Sequence, residues 1–203
     1  MPDTTNPPPP KVRLSLGITG HRAGHSSFVE NETRIAAALA GIFELLEKAV
    51  ATTPAVLGAG SFAPVRLHSL LANGTDQVAA NMALARGWEL VAPLPFGCEL
   101  NEAINALPPT VADARALIAG ITPADAACAA QALAIRTLTE RARVFELADR
   151  DAAIAALYLA KLEAPQDFAK AQLFGAETSI RVALAGRILI EQSDIIKIGR
   201  AHV

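Results

Sequence analysis

Large rings are scarce in this chain: Phe, Trp and Tyr supply 4% of its 203 residues. Its core must therefore be mainly aliphatic, and the abundant alanine favours helices packed closely on something flat. Cysteine is nearly absent too. Cys98 and Cys128 are alone, which excludes a disulfide scaffold, and no histidine accompanies them at metal-site spacing. No charge of one sign dominates, since 18 Lys and Arg face 20 Asp and Glu for a net charge of −2. No global field recruits nucleic acid, and any anion binding must be local. Long apolar runs are missing, because Arg, Glu and Asp interrupt every candidate span. The amino terminus also lacks the basic start and apolar core of a signal peptide. These absences predict a cytoplasmic, reduced protein with no membrane partner.

What is present is ample apolar material. Hydrophobic residues make up 52% and charged residues 19% of the chain, enough for a sizeable core in a chain whose length suits one domain. Residues 1–10, with prolines from Pro7 to Pro10, are expected to form a disordered, extended tail. A domain is expected over 11–198.

Strands are predicted near 12–19, 65–71, 88–92, 143–147 and 194–198. The third is expected to break at Pro93 and Pro95. Between the first two, Ile35, Leu39, Ile42, Phe43, Leu46 and Val50 recur at helical spacing. Asn31 suits the N-cap of that helix, with Glu32 in its first turn. A short helix opens at Asn73-Gly74-Thr75-Asp76 and stops at Gly87. Residues 111–143 read as helical, divided by Gly120 and Pro123. Further helices are expected over 151–162 and 174–192. Strands alternating with helices at these spacings predict an α/β fold: a three-layer, Rossmann-like, mostly parallel sheet with helices on both faces.

The stretch richest in chemistry is Leu14-Ser-Leu-Gly-Ile-Thr-Gly-His-Arg22. An apolar strand ends in Gly20, and a basic pair follows. Exposed amides at a strand-to-helix turn form an anion nest, and Arg22 can grip a phosphate with its two-pronged guanidinium. If strand order reverses between the first and fourth strands, this turn lies in the switch-point crevice. The competing reading is a tight turn whose His21 and Arg22 pair with local carboxylates.

Gly74, Thr75 and Asp76 follow the second strand and face the same edge. Asp76 can hold a ribose hydroxyl or Arg22, or Thr75 and Asp76 can simply cap a helix. Phe96, after the third strand, can cover a base or plug the loop. His21 and His25 have no third ligand nearby in sequence, so no metal site is predicted. His68, in an apolar run, reads as a hydrogen-bonded core histidine. Gly58-Ala59-Gly60-Ser61 lacks the third glycine of a dinucleotide fingerprint and reads as a flexible turn. Ser26, Ser27 and Ser61 lack the context of a nucleophile elbow.

Taken in order, residues 17–22 (Gly-Ile-Thr-Gly-His-Arg), 73–79 (Asn-Gly-Thr-Asp-Gln-Val-Ala), 87–90 (Gly-Trp-Glu-Leu) and 93–96 (Pro-Leu-Pro-Phe) resemble the SLOG superfamily. This superfamily includes the DprA and LOG (lonely guy) proteins and many bacterial members. The resemblance spans about three quarters of the chain. It implies a Rossmann-like sheet that binds a nucleotide or nucleotide-derived phosphate ligand, as a sensor or regulatory domain. On that reading the ligand residues are Gly20, His21, Arg22, Gly74, Thr75, Asp76 and Phe96.

The alternatives are a LOG-like nucleotide N-glycosidase and a DprA-like DNA-processing protein. The chain lacks the Gly-Gly-Thr segment that such families carry after the strand beginning here at Asp194, and with it the nearby acidic residue of LOG enzymes. The resemblance therefore implies no catalytic residue and no cofactor. A homo-oligomer is left open. The last six residues can be encoded by ATC GGA AGA GCA CAC GTC, which resembles a sequencing adapter. Residues 199–203 are accordingly expected to be a non-native tail on a domain incomplete at its carboxyl end.

Overall fold

The computed structural model describes residues 13–57 and 63–198. The proline-rich tail, the Gly58–Ser61 turn and the 199–203 tail lie outside the described residues. The elements run β1 (Ser15–Thr19), α1 (Ser26–Val29), α2 (Glu32–Leu57), β2 (Arg66–Ser69), α3 (Thr75–Ala85), β3 (Glu89–Leu94), α4 (Cys98–Ala106), α5 (Val111–Ile118), α6 (Ala126–Glu140), β4 (Arg143–Glu146), a 3-10 turn (Ala148–Arg150), α7 (Asp151–Glu163), α8 (Phe168–Glu191) and β5 (Ile195–Ile198).

The five strands form one all-parallel sheet in the order β4-β3-β2-β1-β5. Three layers result, with helices on both faces, as parallel crossovers require. Period-two alternation builds the core. Leu16, Leu67 and Leu90 stand abreast in register. With Ile18, Ala92 and Leu94 they bury against Leu39 and Phe43 of α2, Ala79, Ala80 and Ala83 of α3, and Leu138 of α6. The small alanines let α3 settle close to the strands. A second apolar cluster lies beyond the sheet and is helical: Leu100, Ala103, Leu117, Ile135, Ile154, Tyr158 and Phe174 join α4 through α8.

The chain steps outward from β1 through β2 and β3 to β4, then returns. Its return leg includes α8, whose 24 residues reach about 36 Å. β5 then docks on the free side of β1. The reversal of strand order therefore lies between β1 and β5, not between the first and fourth strands. The β1 turn still faces that crevice.

Two other expectations are corrected. β3 runs through Pro93 to Leu94, because β4 pairs alongside both residues while the pairing with β2 ends at Val91, so the proline falls beyond the β2 ladder. The last long helix starts at Phe168, not Phe174, because the Asp167 carboxylate accepts the amides of Ala169 and Lys170. Between β3 and α5 the chain adds α4, whose Leu100, Ala103 and Ile104 recur at helical spacing and bury together. No helix among the described residues is long and apolar enough to cross a membrane.

Candidate functional site

The turns leaving β1 and β2 are zipped together at the carboxyl end of the sheet. Ala23 N donates to Asn73 O at 2.9 Å, and Thr75 N donates to His21 O at 3.2 Å. Arg22 and Gly74 form the antiparallel bridge between these bonds. In such a pair the bridging residues turn their own N–H groups outward, so the Arg22 amide points away from the partner turn.

Two glycines make this approach possible. A Cβ on Gly20 would lie 2.6 Å from Thr75 Cβ, and one on Gly74 would lie 2.5 Å from His21 O. Gly74 also has φ 120°, a region that side chains resist. The second turn is pinned further to α4. Asn73 N donates to Asn105 Oδ1 at 3.2 Å, and Asn73 Nδ2 donates to Asn105 O at 3.3 Å.

Thr75 and Asp76 are each only 3% exposed. The Thr75 hydroxyl donates to His21 O at 3.2 Å. Burial pushes the Asp76 carboxyl up to about 7, against the opposing pull of the Ala72 amide, the Ser69 hydroxyl, the Arg22 guanidinium and the Leu70 amide. Gly74, Thr75 and Asp76 thus lie inside the loop packing, behind the turn that carries Arg22.

Arg22 is exposed. Among the described residues it takes part in none of the ion pairs. Its side chain lines a cavity of about 450 Å³ with Phe96, Ile104 of α4, and Phe174, Thr178, Ser179, Val182 and Ala183 of α8. That size suits a small organic ligand.

Phe96 is 2% exposed; its ring belongs to the helical core and forms a cavity wall at once. Its loop is held by Gly97 N donating to Asp151 Oδ2 at 2.8 Å and Cys98 N donating to Glu146 Oε1 at 3.1 Å. Phe174 is fixed by the Tyr158 ring, 5.4 Å away between centroids. Tyr158 in turn donates to Ala103 O.

The structure thus brings Arg22 and Phe96 onto one cavity, while Thr75 and Asp76 sit behind it. The α8 lining is absent from the sequence reading. Phe174, Thr178 and Val182 share a helical stripe at i, i+4, i+8, a pattern that looks like ordinary core until the facing turn is known. Asn73 and Asn105, which seat the turn against α4, gave no local signal.

His21 and His25 stack face to face, with ring centroids 4.2 Å apart, and His25 Nδ1 accepts the Ser27 amide. Among the described residues no group of three or more His, Cys, Asp or Glu is placed to hold a metal. His68 is buried, and neither ring nitrogen has a hydrogen-bond partner among the described residues, contrary to the hydrogen-bonded core histidine expected. It stands in register between Gly17 and Val91, which offer it no side-chain acceptor. Burial lowers its pKa to about 4, with Arg66 acting in the same direction.

A second cavity of about 400 Å³ is lined by Cys98, Glu99, Glu102, Arg136, Glu140 and Val144, among others. Burial and the Glu146 carboxylate push the Cys98 thiol up to about 12, so it is a poor nucleophile.

The fold defines the class of this protein: a Rossmann-like α/β domain with a cavity at the carboxyl edge of a parallel sheet. Comparison with protein families, curated proteins and solved structures finds no significant match that would narrow the class to a particular protein.

Proposed function

We propose that this chain binds a nucleotide or nucleotide-derived phosphate ligand in the Arg22–Phe96 cavity, as a sensor or regulatory domain. The observation that carries this reading is an exposed guanidinium, without an ion pair among the described residues, on the wall of a cavity of about 450 Å³ beside two aromatic rings. The guanidinium supplies bidentate donors for phosphate. Phe96 and Phe174, both buried in the helical core, give the cavity wall an apolar backing. Arg22 follows β1, the strand that borders the reversal of strand order, where doubly wound sheets take their ligands.

The resemblance of residues 17–22, 73–79, 87–90 and 93–96 to SLOG proteins, which includes Arg22 and Phe96 themselves, supports the same reading. The reading stays at binding. The nearest carboxylate of the paired turns, Asp76, is buried and tied to backbone amides, which favours neither glycosidic cleavage nor DNA processing. Two free cysteines, Cys98 and Cys128, agree with a cytoplasmic setting.

The test is a thermal-shift screen of mono-, di- and cyclic nucleotides, followed by calorimetry on wild type and Arg22→Ala. A bound nucleotide should lose roughly 1.5–3 kcal/mol of affinity in the variant, the scale of a charge-assisted hydrogen bond. Equal affinity in the two proteins removes Arg22 from the site.

A further inference from the structure

The cavity is chemically polarised, and the hydroxyls of its α8 wall are bonded back into their own helix. Thr178 and Ser179 are its hydroxyl groups. The Thr178 hydroxyl donates to Phe174 O at 2.7 Å, with Gly175 O at 3.2 Å, and the Ser179 hydroxyl donates to Gly175 O at 2.6 Å. Each hydroxyl has one proton and two lone pairs. With the proton held by a carbonyl one turn back in the same helix, only the lone pairs remain for a ligand. The wall at α8 therefore accepts hydrogen bonds, whereas the Arg22 guanidinium can only donate them. Phe96, Ile104, Phe174 and Val182 give the lining between them an apolar surface.

We propose that Thr178 and Ser179 are specificity-determining residues that accept hydrogen bonds from an amino or hydroxyl group of the ligand. The cavity then selects molecules that carry an anion at one end and a hydrogen-bond donor at the other, joined by an apolar body. This inference rests on the nucleotide reading above and narrows it. A site built around acceptors discriminates against an analogue that lacks the matching donor; Thr178 is half-buried and Ser179 exposed, so the larger share of that discrimination falls on Thr178.

Calorimetry on the full chain tests it with four probes: adenosine 5′-monophosphate, purine riboside 5′-monophosphate, which lacks the amine, and the 2′-deoxy and 3′-deoxy forms of adenosine 5′-monophosphate. In wild type, at least one deletion should weaken binding about tenfold, and the sensitive probe identifies which donor meets α8. In a Thr178→Val, Ser179→Ala double variant the parent and that analogue should bind alike. Both substitutions suit a helix and keep its shape, so the melting temperature should stay close to that of wild type. Each single variant serves as the second reading should the double variant unfold. Arg22→Ala should weaken all four probes while preserving the wild-type ratio among them.

If wild type binds all four probes alike, or the discrimination survives the loss of both hydroxyls, the inference is overturned while the nucleotide reading stands. If none of the four probes binds wild type, this inference fails; the nucleotide reading fails with it only when no mono-, di- or cyclic nucleotide of the thermal-shift screen binds either.

Discussion

The turns after β1 and β2 leave neighbouring strands and meet in a single bridge, Arg22 to Gly74, yet they end in opposite environments. The β2 turn is consumed by the fold. Thr75 and Asp76 are buried, and Asn73 is fastened to α4. The β1 turn uses its backbone for the same bonds but leaves the Arg22 side chain exposed on a cavity. Polar residues at the carboxyl edge of a parallel sheet are thus of two kinds. Those whose hydrogen bonds close within the loops build the rim, and those left outside the ion pairs of the described residues stand exposed on the cavity.

The strongest way to break this comparison is at the rim. Gly74→Ala forces a side chain into a left-handed backbone and onto His21 O and Ala23 N. It should cost about 3 kcal/mol of stability, read by chemical denaturation, and should weaken ligand binding by displacing Arg22. Arg22→Ala should do the reverse. It should lower nucleotide affinity by roughly 1.5–3 kcal/mol and leave stability within about 0.5 kcal/mol of wild type, as exposed substitutions do. A large loss of stability in Arg22→Ala, or none in Gly74→Ala, would erase the distinction between the two turns.

A finer test uses pH. The pKa of Asp76 is raised from 3.8 to about 7 in the fold. Its contribution therefore favours the folded state below about pH 4 and is lost as pH rises through 7. His68 acts in the opposite sense, being lowered from 6.5 to about 4. Its contribution is present above about pH 6.5 and is lost as pH falls through 4. Between pH 4 and 6.5 the two oppose each other. Relative to wild type, Asp76→Asn should gain stability with rising pH by about 1 kcal/mol per unit, and His68→Leu should lose it at a similar slope. Denaturation series at half-unit steps read both slopes; parallel curves for wild type and the two variants would show that neither group titrates differently on folding. The smallest effect belongs to the far end of the cavity helix. Asp167→Ala removes the cap of α8 and should cost about 1 kcal/mol.

Much of this was legible in the chain. The strand near 12–19, the helix through Ile35 and Phe43, and the alternation of strands and helices all reappear in the structure, since apolar period and glycine or proline punctuation are local signals. Asp167 is the kind of signal that was present but overshadowed by the stronger apolar pattern starting at Phe174. The persistence of β3 through Pro93 depends on where β2 stops and on β4 pairing alongside it, which no property of residues 88–96 encodes. Of the residues singled out for the ligand, Arg22 and Phe96 meet on one cavity. Gly20 and Gly74 serve the close approach of the two turns, and Thr75 and Asp76 pack behind them. Local sequence offers Asp76 equal reasons to cap, to pair or to bind, because each role asks only for a carboxylate beside a turn.

The chain by itself determined that this is an α/β domain with a glycine-basic turn at the end of its first strand, for side-chain periodicity and turn chemistry act over a few residues. Only the tertiary structure decided where strand order reverses, which turn is sealed, and that α8, well over a hundred residues from Arg22, closes the other side of the cavity. Those outcomes depend on contacts between distant segments, and a cavity belongs to the packing of several elements rather than to any one of them.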